Sequence, residues 1–207
     1  PNLLAEEFGL DQTRYFLMRE VPFGNDGDFS RRAMIHRMNG DLANDLGNLS
    51  QRVLSMIFKN CSGVMPALPA MSAPEDSALL EAADAMLGKV RAHMDVQSFH
   101  EALRCIWEVV SDANKYVDTT APWGLKKTAP VRMGEVLAVL AETIRQAAIL
   151  VQPVMPGSAS KILDQLGVAD GQRGFDMLAG AGRIAAGVEI SKPEPVFPRF
   201  VEEEGEV

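Results

Sequence analysis

Cysteine and histidine are scarce: Cys61 and Cys105 stand far apart among 207 residues, accompanied only by His36, His93 and His100. That excludes a disulfide framework and a zinc knuckle. Long apolar runs are missing too, none approaching the roughly 20 residues of a membrane span. The opening Pro1-Asn2-Leu3-Leu4-Ala5-Glu6-Glu7 has no basic region followed by an apolar stretch, so neither a membrane protein nor a secretory leader is expected and a cytoplasmic location follows. The chain starts on Pro1 without an initiator Met, inside a helical pattern, and reads as part of a longer protein.

Chemical motifs are lacking as well. None of the three histidines has a Glu three positions before it, as a carboxylate-bridged metal site in a bundle requires. There is no Gly-x-x-x-x-Gly-Lys phosphate loop, and Gly180-Ala181-Gly182 follows no predicted strand, so it reads as a linker. Asn25-Asp26-Gly27-Asp28 lacks the Glu that closes a calcium loop. The expectation is a segment that binds rather than reacts, with no catalytic residue, metal or cofactor of its own.

What is present is ordinary globular composition, 47% hydrophobic and 23% charged, on a chain long enough for a substantial core. The net charge of −8 argues against a nucleic-acid partner, but the charge is uneven. Residues 30–60 carry five basic and two acidic side chains, and residues 114–132 four and one, whereas 61–113 carry three and eight. Two locally basic segments suit a polyanion held at one confined place, and equally suit the chance imbalances of any surface.

The apolar spacing predicts helices almost throughout. Residues 3–20 read as two short helices separated by Gly9, and Val21 to Asp28 as a turn. Ser30 is the expected N-cap of a long amphipathic helix to Lys59, with Ile35, Met38, Leu42, Leu46, Leu49, Val53 and Ile57 as its stripe. Further helices are expected from Pro74 to Met94, from Val96 to Asp118, from a Thr128 cap to Gln152, and from Ser158 to Leu166. Thr119 to Gly124 reads as a loop, Gly167 as a stop, the stretch beyond Gly171 as aperiodic, and Glu189 to Val207 as extended. The expected fold is all-α, a bundle of four long helices with short additions at both ends.

On a wheel of about 100° per residue, Asn44, Asn48, Arg52, Ser55 and Lys59 fall opposite the stripe of the first long helix. An Asn and an Arg one turn apart can read the edge of an unpaired base and hold a phosphate, though any amphipathic helix has a polar face. Trp123, after Ala121-Pro122 and before Lys126-Lys127, could stack on an unpaired base or close the end of the core. Trp107, inside the third long helix, is assigned to the core.

Four stretches, in order, resemble one family. Gly9-Leu10-Asp11 with Arg14 to Ser30 is similar to the segment that follows the Lys-Met-Ser-Lys-Ser loop of bacterial methionyl-tRNA synthetases. The likeness continues through Asp41-Leu42-Ala43-Asn44-Asp45-Leu46-Gly47-Asn48-Leu49, Tyr116-Val117-Asp118-Thr119-Thr120-Ala121-Pro122-Trp123 and Lys192-Pro193-Glu194-Pro195-Val196-Phe197-Pro198-Arg199, and so spans nearly the whole chain.

The resemblance implies a class Ia synthetase cut after its catalytic half. Residues 1–30 would end the stem-contact region, 31–166 would form the helical anticodon-binding domain, and 167–207 would pack back towards the absent catalytic part. In that family an Asn, an Arg and the Trp of Ala-Pro-Trp read the CAU anticodon, and Asn48, Arg52 and Trp123 match them. Asn44, Asn114, Lys115 and Asp118 match neighbours that shape the pocket. The implied partners are tRNA(Met) and the chain's own catalytic domain, with neither DNA nor a membrane; ATP, methionine, Mg²⁺ and any Zn²⁺ would belong to the absent half. If Val207 is the natural end, a monomer of the short type is expected. Two rivals remain: an all-α protein-interaction module, and the anticodon domain of another class I synthetase.

Overall fold

Gly9, at φ +92°, takes a backbone conformation that side-chain-bearing residues rarely adopt and divides α1 (Asn2–Phe8) from α2 (Leu10–Glu20). The computed structural model describes residues 2–27, 29–178, 180 and 182–201. Asp28 of the expected turn, Ala181 of the expected linker and the tail at 202–207 lie outside the described residues.

Ser30 caps as expected, its hydroxyl accepting from the Ala33 amide at 3.3 Å. The helix it starts is not uniform. After α3 (Arg31–Arg37) the chain widens into a π-helical stretch, Met38–Gly47, before α4 (Asn48–Asn60). The Asn48 amide donates to the carbonyl of Ala43, five residues back. The expectation of one regular α-helix is corrected here, and the reason lies in the spacing. Met34, Met38, Leu42 and Leu46 are buried at every fourth residue, longer than the 3.6-residue α period, and wider turns keep such a repeat on one side. Bundle side chains also meet carbonyls of this stretch: Trp107 Nε1 donates to Asp41 at 3.0 Å and Asn114 Nδ2 to Asp45 at 3.4 Å.

The other long helices are α5 (Pro74–Asp95), α6 (Phe99–Thr120) and, after the single turn α7 (Pro122–Leu125), α8 (Pro130–Val151). Several boundary expectations fail. α6 starts at Phe99 rather than Val96, and the expected loop at 119–124 is helical at Thr119 and Thr120, which end α6, and at 122–124 in α7, where Pro122 pre-sets the first helical φ. Thr128 is not a cap: Ala129 precedes the helix, Pro130 opens it, and no side chain caps it. α8 is buried on nearly every side from Met133 to Val151, so its polar residues need internal partners. Glu142 takes both Nε and Nη2 of Arg145 at 2.8 Å, and also the Ile184 amide at 2.9 Å.

α9 (Pro156–Gln165) begins two residues earlier than expected, where Asp11 of α2 accepts from the Ser158 amide at 2.5 Å. Gly167, at φ +72°, ends it. Two 3-10 turns, Asp170–Gln172 and Phe175–Met177, interrupt a tail expected to be aperiodic. The tail returns along the loop after α4, where Val64 and Glu189 form the one β-pairing among the described residues. Further on, Phe200 exchanges two hydrogen bonds with Asn39 and packs on Phe8 at 4.9 Å. The architecture is all-α, a core of four long helical columns with smaller elements at its ends.

Candidate RNA-binding site

The start of α4 and the end of α6 converge on one polar surface. Asn48 opens α4 on its exposed side, and among the described residues its amide side chain has no hydrogen-bond partner. Arg52, one turn later, donates from Nη2 to Asp118 Oδ1 at 2.9 Å across to α6. Its guanidinium carbon lies 5.5 Å from the centroid of the Trp123 indole, within cation–π range.

Trp123 is 52% exposed, so it does not close the core. The local chain explains this: α6 terminates at Ala121 in a left-handed conformation (φ 43°, ψ 58°), Pro122 is buried, and the next residue is thrown outward. Trp107, with the same side chain, is 6% exposed, its ring 4.6 Å from that of Tyr15.

The seven residues singled out in the sequence divide into three groups. Arg52 meets both Asp118 and Trp123. Asn44 and Asn48 are exposed one turn apart in the same helical column, and neither side chain is engaged among the described residues. The other two serve the protein itself: Asn114 donates to Val110 at 3.1 Å and to Asp45, tying α6 to the π-helical stretch, and Lys115 pairs with Asp112 at 3.0 Å. Lys115 lines a cavity of about 530 Å³ between α5 and α6, together with Tyr116, Thr119 and Thr120.

The two basic segments are partly neutralised within the fold. Arg31 pairs with Glu7, Arg37 with Glu20 and Asp41, and Arg132 with Asp76 and Glu75. Arg32, Lys59, Lys126 and Lys127 are exposed without an ion pair among the described residues. An open indole backed by a guanidinium, with unengaged amides and two lysines nearby in the chain, can stack on an unpaired base, read its edge and hold its phosphate.

The sequence reading did not single out a buried cluster that joins α5, α6 and α8. Asp76, from the first turn of α5, receives hydrogen bonds from Tyr116 of α6 and Arg132 of α8. Burial pushes the Asp76 carboxyl up, but the bonds from Arg132 and Tyr116 outweigh it and hold it below the usual carboxylate range. Burial, with the Asp76 bond, pushes the Tyr116 phenol well up. An acid three residues after Ala73 could have been noticed as a cap, since the Ala73 amide does donate to it at 3.3 Å. No group of three or more His, Cys, Asp or Glu among the described residues is placed to hold a metal ion, and no described helix is long and apolar enough to cross a membrane.

Known proteins are similar to nearly the whole chain. The family described as "Anticodon binding domain of methionyl tRNA ligase" matches residues 65–207, and "tRNA synthetases class I (M)" matches residues 1–54. The methionine–tRNA ligase of Brucella suis biovar 1 is 53% identical over 203 residues, which are 98% of this chain and 39% of that protein. That of Rhizobium meliloti is 50% identical over 201 residues, 97% of this chain and 39% of that protein. The apo crystal structure of Mycobacterium tuberculosis methionyl-tRNA synthetase superimposes with a TM-score of 0.93 at 49% identity, covering 97% of this chain and 41% of that one. A methionyl-adenylate complex of the same enzyme gives 0.91 at 50% identity, covering 95% and 39%. The chain thus spans about two-fifths of the length of the relatives it matches.

Proposed function

The chain belongs to the methionyl-tRNA synthetase family, and on that premise we propose that its bundle selects tRNA(Met) by the CAU anticodon for an ATP-dependent methionine–tRNA ligase. Asn48, Arg52 and Trp123 contact the anticodon; Asn44 and Asp118 border it, and Asn114 and Lys115 shape its surroundings from α6. The observation that carries this reading is the outward indole of Trp123, in contact with the Asp118-held Arg52. The partner is RNA rather than DNA, because stacking on splayed-out unpaired bases is how single-stranded RNA loops are read. The intact enzyme acts in the cytoplasm, where tRNA is charged.

Residues 31–166 form the anticodon-binding unit, residues 1–30 the end of the stem-contact region, and 167–207 an extension towards the catalytic part. Two joints support that division. Arg14 donates to the carbonyls of Val154 and Pro153, both at 2.7 Å, fastening α2 to the bundle. The tail meets α1 through Phe200 and Phe8. ATP, methionine and Mg²⁺ act in the catalytic half, as does any Zn²⁺.

Trp123→Ala in the intact enzyme tests the reading. Loss of one stacked base should lower aminoacylation kcat/KM for tRNA by about 5- to 150-fold. Methionine-dependent exchange of pyrophosphate into ATP should be unchanged, because the adenylate forms in the other half. A drop in melting temperature with tRNA charging intact would mark the indole as structural and overturn the assignment.

A further inference from the structure

Asp76 is wholly buried and accepts four hydrogen bonds: from Tyr116 Oη at 2.6 Å, Arg132 Nη1 at 2.5 Å, Arg132 Nη2 at 2.7 Å and the Ala73 amide at 3.3 Å. A carboxylate removed from water needs such a set, and an apolar filling of similar volume is often no less stable. The placement of the donors shows what this cluster adds. Tyr116 lies seven residues before Trp123 on α6, and Arg132 nine residues after it on α8. One carboxylate on a third element therefore pins both arms of the segment that carries the indole at its tip.

That tip is under local strain. Ala121 holds φ 43° without being a glycine, a conformation that persists where the surroundings over-determine it. Thr120 Oγ1 bonds back to the Tyr116 carbonyl at 2.7 Å, and the Ala121 amide to Val117 at 3.1 Å, so the turn continues directly from the pinned end of α6.

We infer that Asp76, Tyr116 and Arg132 are positioning residues for tRNA selection, which touch no RNA and set the direction in which the α6–α7 turn presents Trp123. This rests on the reading of Trp123 as an anticodon contact.

The test is a double-mutant cycle in the intact enzyme, using a tRNA transcript with a CAU anticodon. Tyr116→Phe keeps the ring and removes the hydroxyl that donates to Asp76. Alone it should lower kcat/KM for the transcript about 2- to 150-fold, the span of coupling within one network, with methionine activation unchanged. In a Trp123→Ala background the same substitution should have no further effect, because nothing is left for it to aim. Arg132→Lys, which keeps the charge and loses the paired hydrogen bonds, should behave likewise. If Trp123→Ala impairs charging while Tyr116→Phe is silent or simply additive to it, the cluster serves folding alone and the inference is overturned. If Trp123→Ala is itself silent, the anticodon reading fails first, and the single variant reveals it.

Discussion

Asn48 and Arg52 sit one turn apart, yet the fold holds only one of them. Arg52 is already clamped by Asp118 and faces the indole, whereas the side-chain Oδ1 and Nδ2 of Asn48 have no partner among the described residues and are open to a ligand. Asn48→Ala should therefore leave folding stability unchanged, within about 0.5 kcal/mol, while tRNA binding weakens by about 1 to 3 kcal/mol as a base loses its partner. Calorimetry and a tRNA titration on one preparation check both halves. The two tryptophans make the complementary case. Trp107 is buried, donates to the Asp41 carbonyl and packs on Tyr15, so Trp107→Ala should cost about 3 to 5 kcal/mol of folding stability, visible as an earlier urea midpoint. Residue type alone could not separate them; the neighbours Ala121 and Pro122 did.

At the scale of elements, the π-helical stretch and the returning tail meet at Gly47. A Cβ there would lie 2.7 Å from the Leu42 carbonyl and 3.4 Å from Phe197, and backbone cannot yield cheaply. Gly47→Ala should destabilise by about 1 to 3 kcal/mol through overpacking, measured by denaturant unfolding. The Asp76 cluster ties α5, α6 and α8 and gives a pH dependence with a definite sign. Its carboxyl titrates lower in the folded state than in the unfolded chain, so its contribution is present above the unfolded value near 4 and is lost as pH falls through the folded one. Between about pH 5 and pH 3 the wild type should lose stability, and Tyr116→Phe, with one donor fewer on Asp76, should lose less of it.

The elements also show what was legible in the residues. Helix spans came through because their ends are written locally, in Ser30, Pro74 and Gly167, and their stripes recur through many turns. The π stretch did not, since a 100° wheel assumes the turn it is meant to test. Nor did the all-round burial of α8, where Arg145 and Glu142 are buried by pairing with each other, which no period reveals. At the site, the outward indole depended on a left-handed Ala121, and the Asp76 cluster joins residues up to 56 apart in sequence. Such meetings are properties of packing.

Taken whole, the molecule is an acidic chain of net charge −8 proposed to bind a polyanion. The resolution lies in where cations remain free. Most arginines of the two basic segments are spent on internal carboxylates, while Lys126 and Lys127, three and four residues past Trp123, are exposed without ion pairs among the described residues. If they meet anticodon-loop phosphates, tRNA affinity should fall as salt rises, and each cation should contribute about 0.7 to the slope of log K against log salt for single-stranded RNA. Replacing both with Gln should then flatten the slope of the intact enzyme by about 1.4. The difference isolates this site from whatever the catalytic half contributes. Lys89 supplies the control, because it lies thirteen residues along α5 from Asp76, about 20 Å of helix and about two and a half Debye lengths at physiological salt. Lys89→Gln should leave the slope as it was. A slope untouched by removing Lys126 and Lys127 would mean that the indole meets RNA without phosphate contacts from its own turn, and that the steering charge lies outside this bundle.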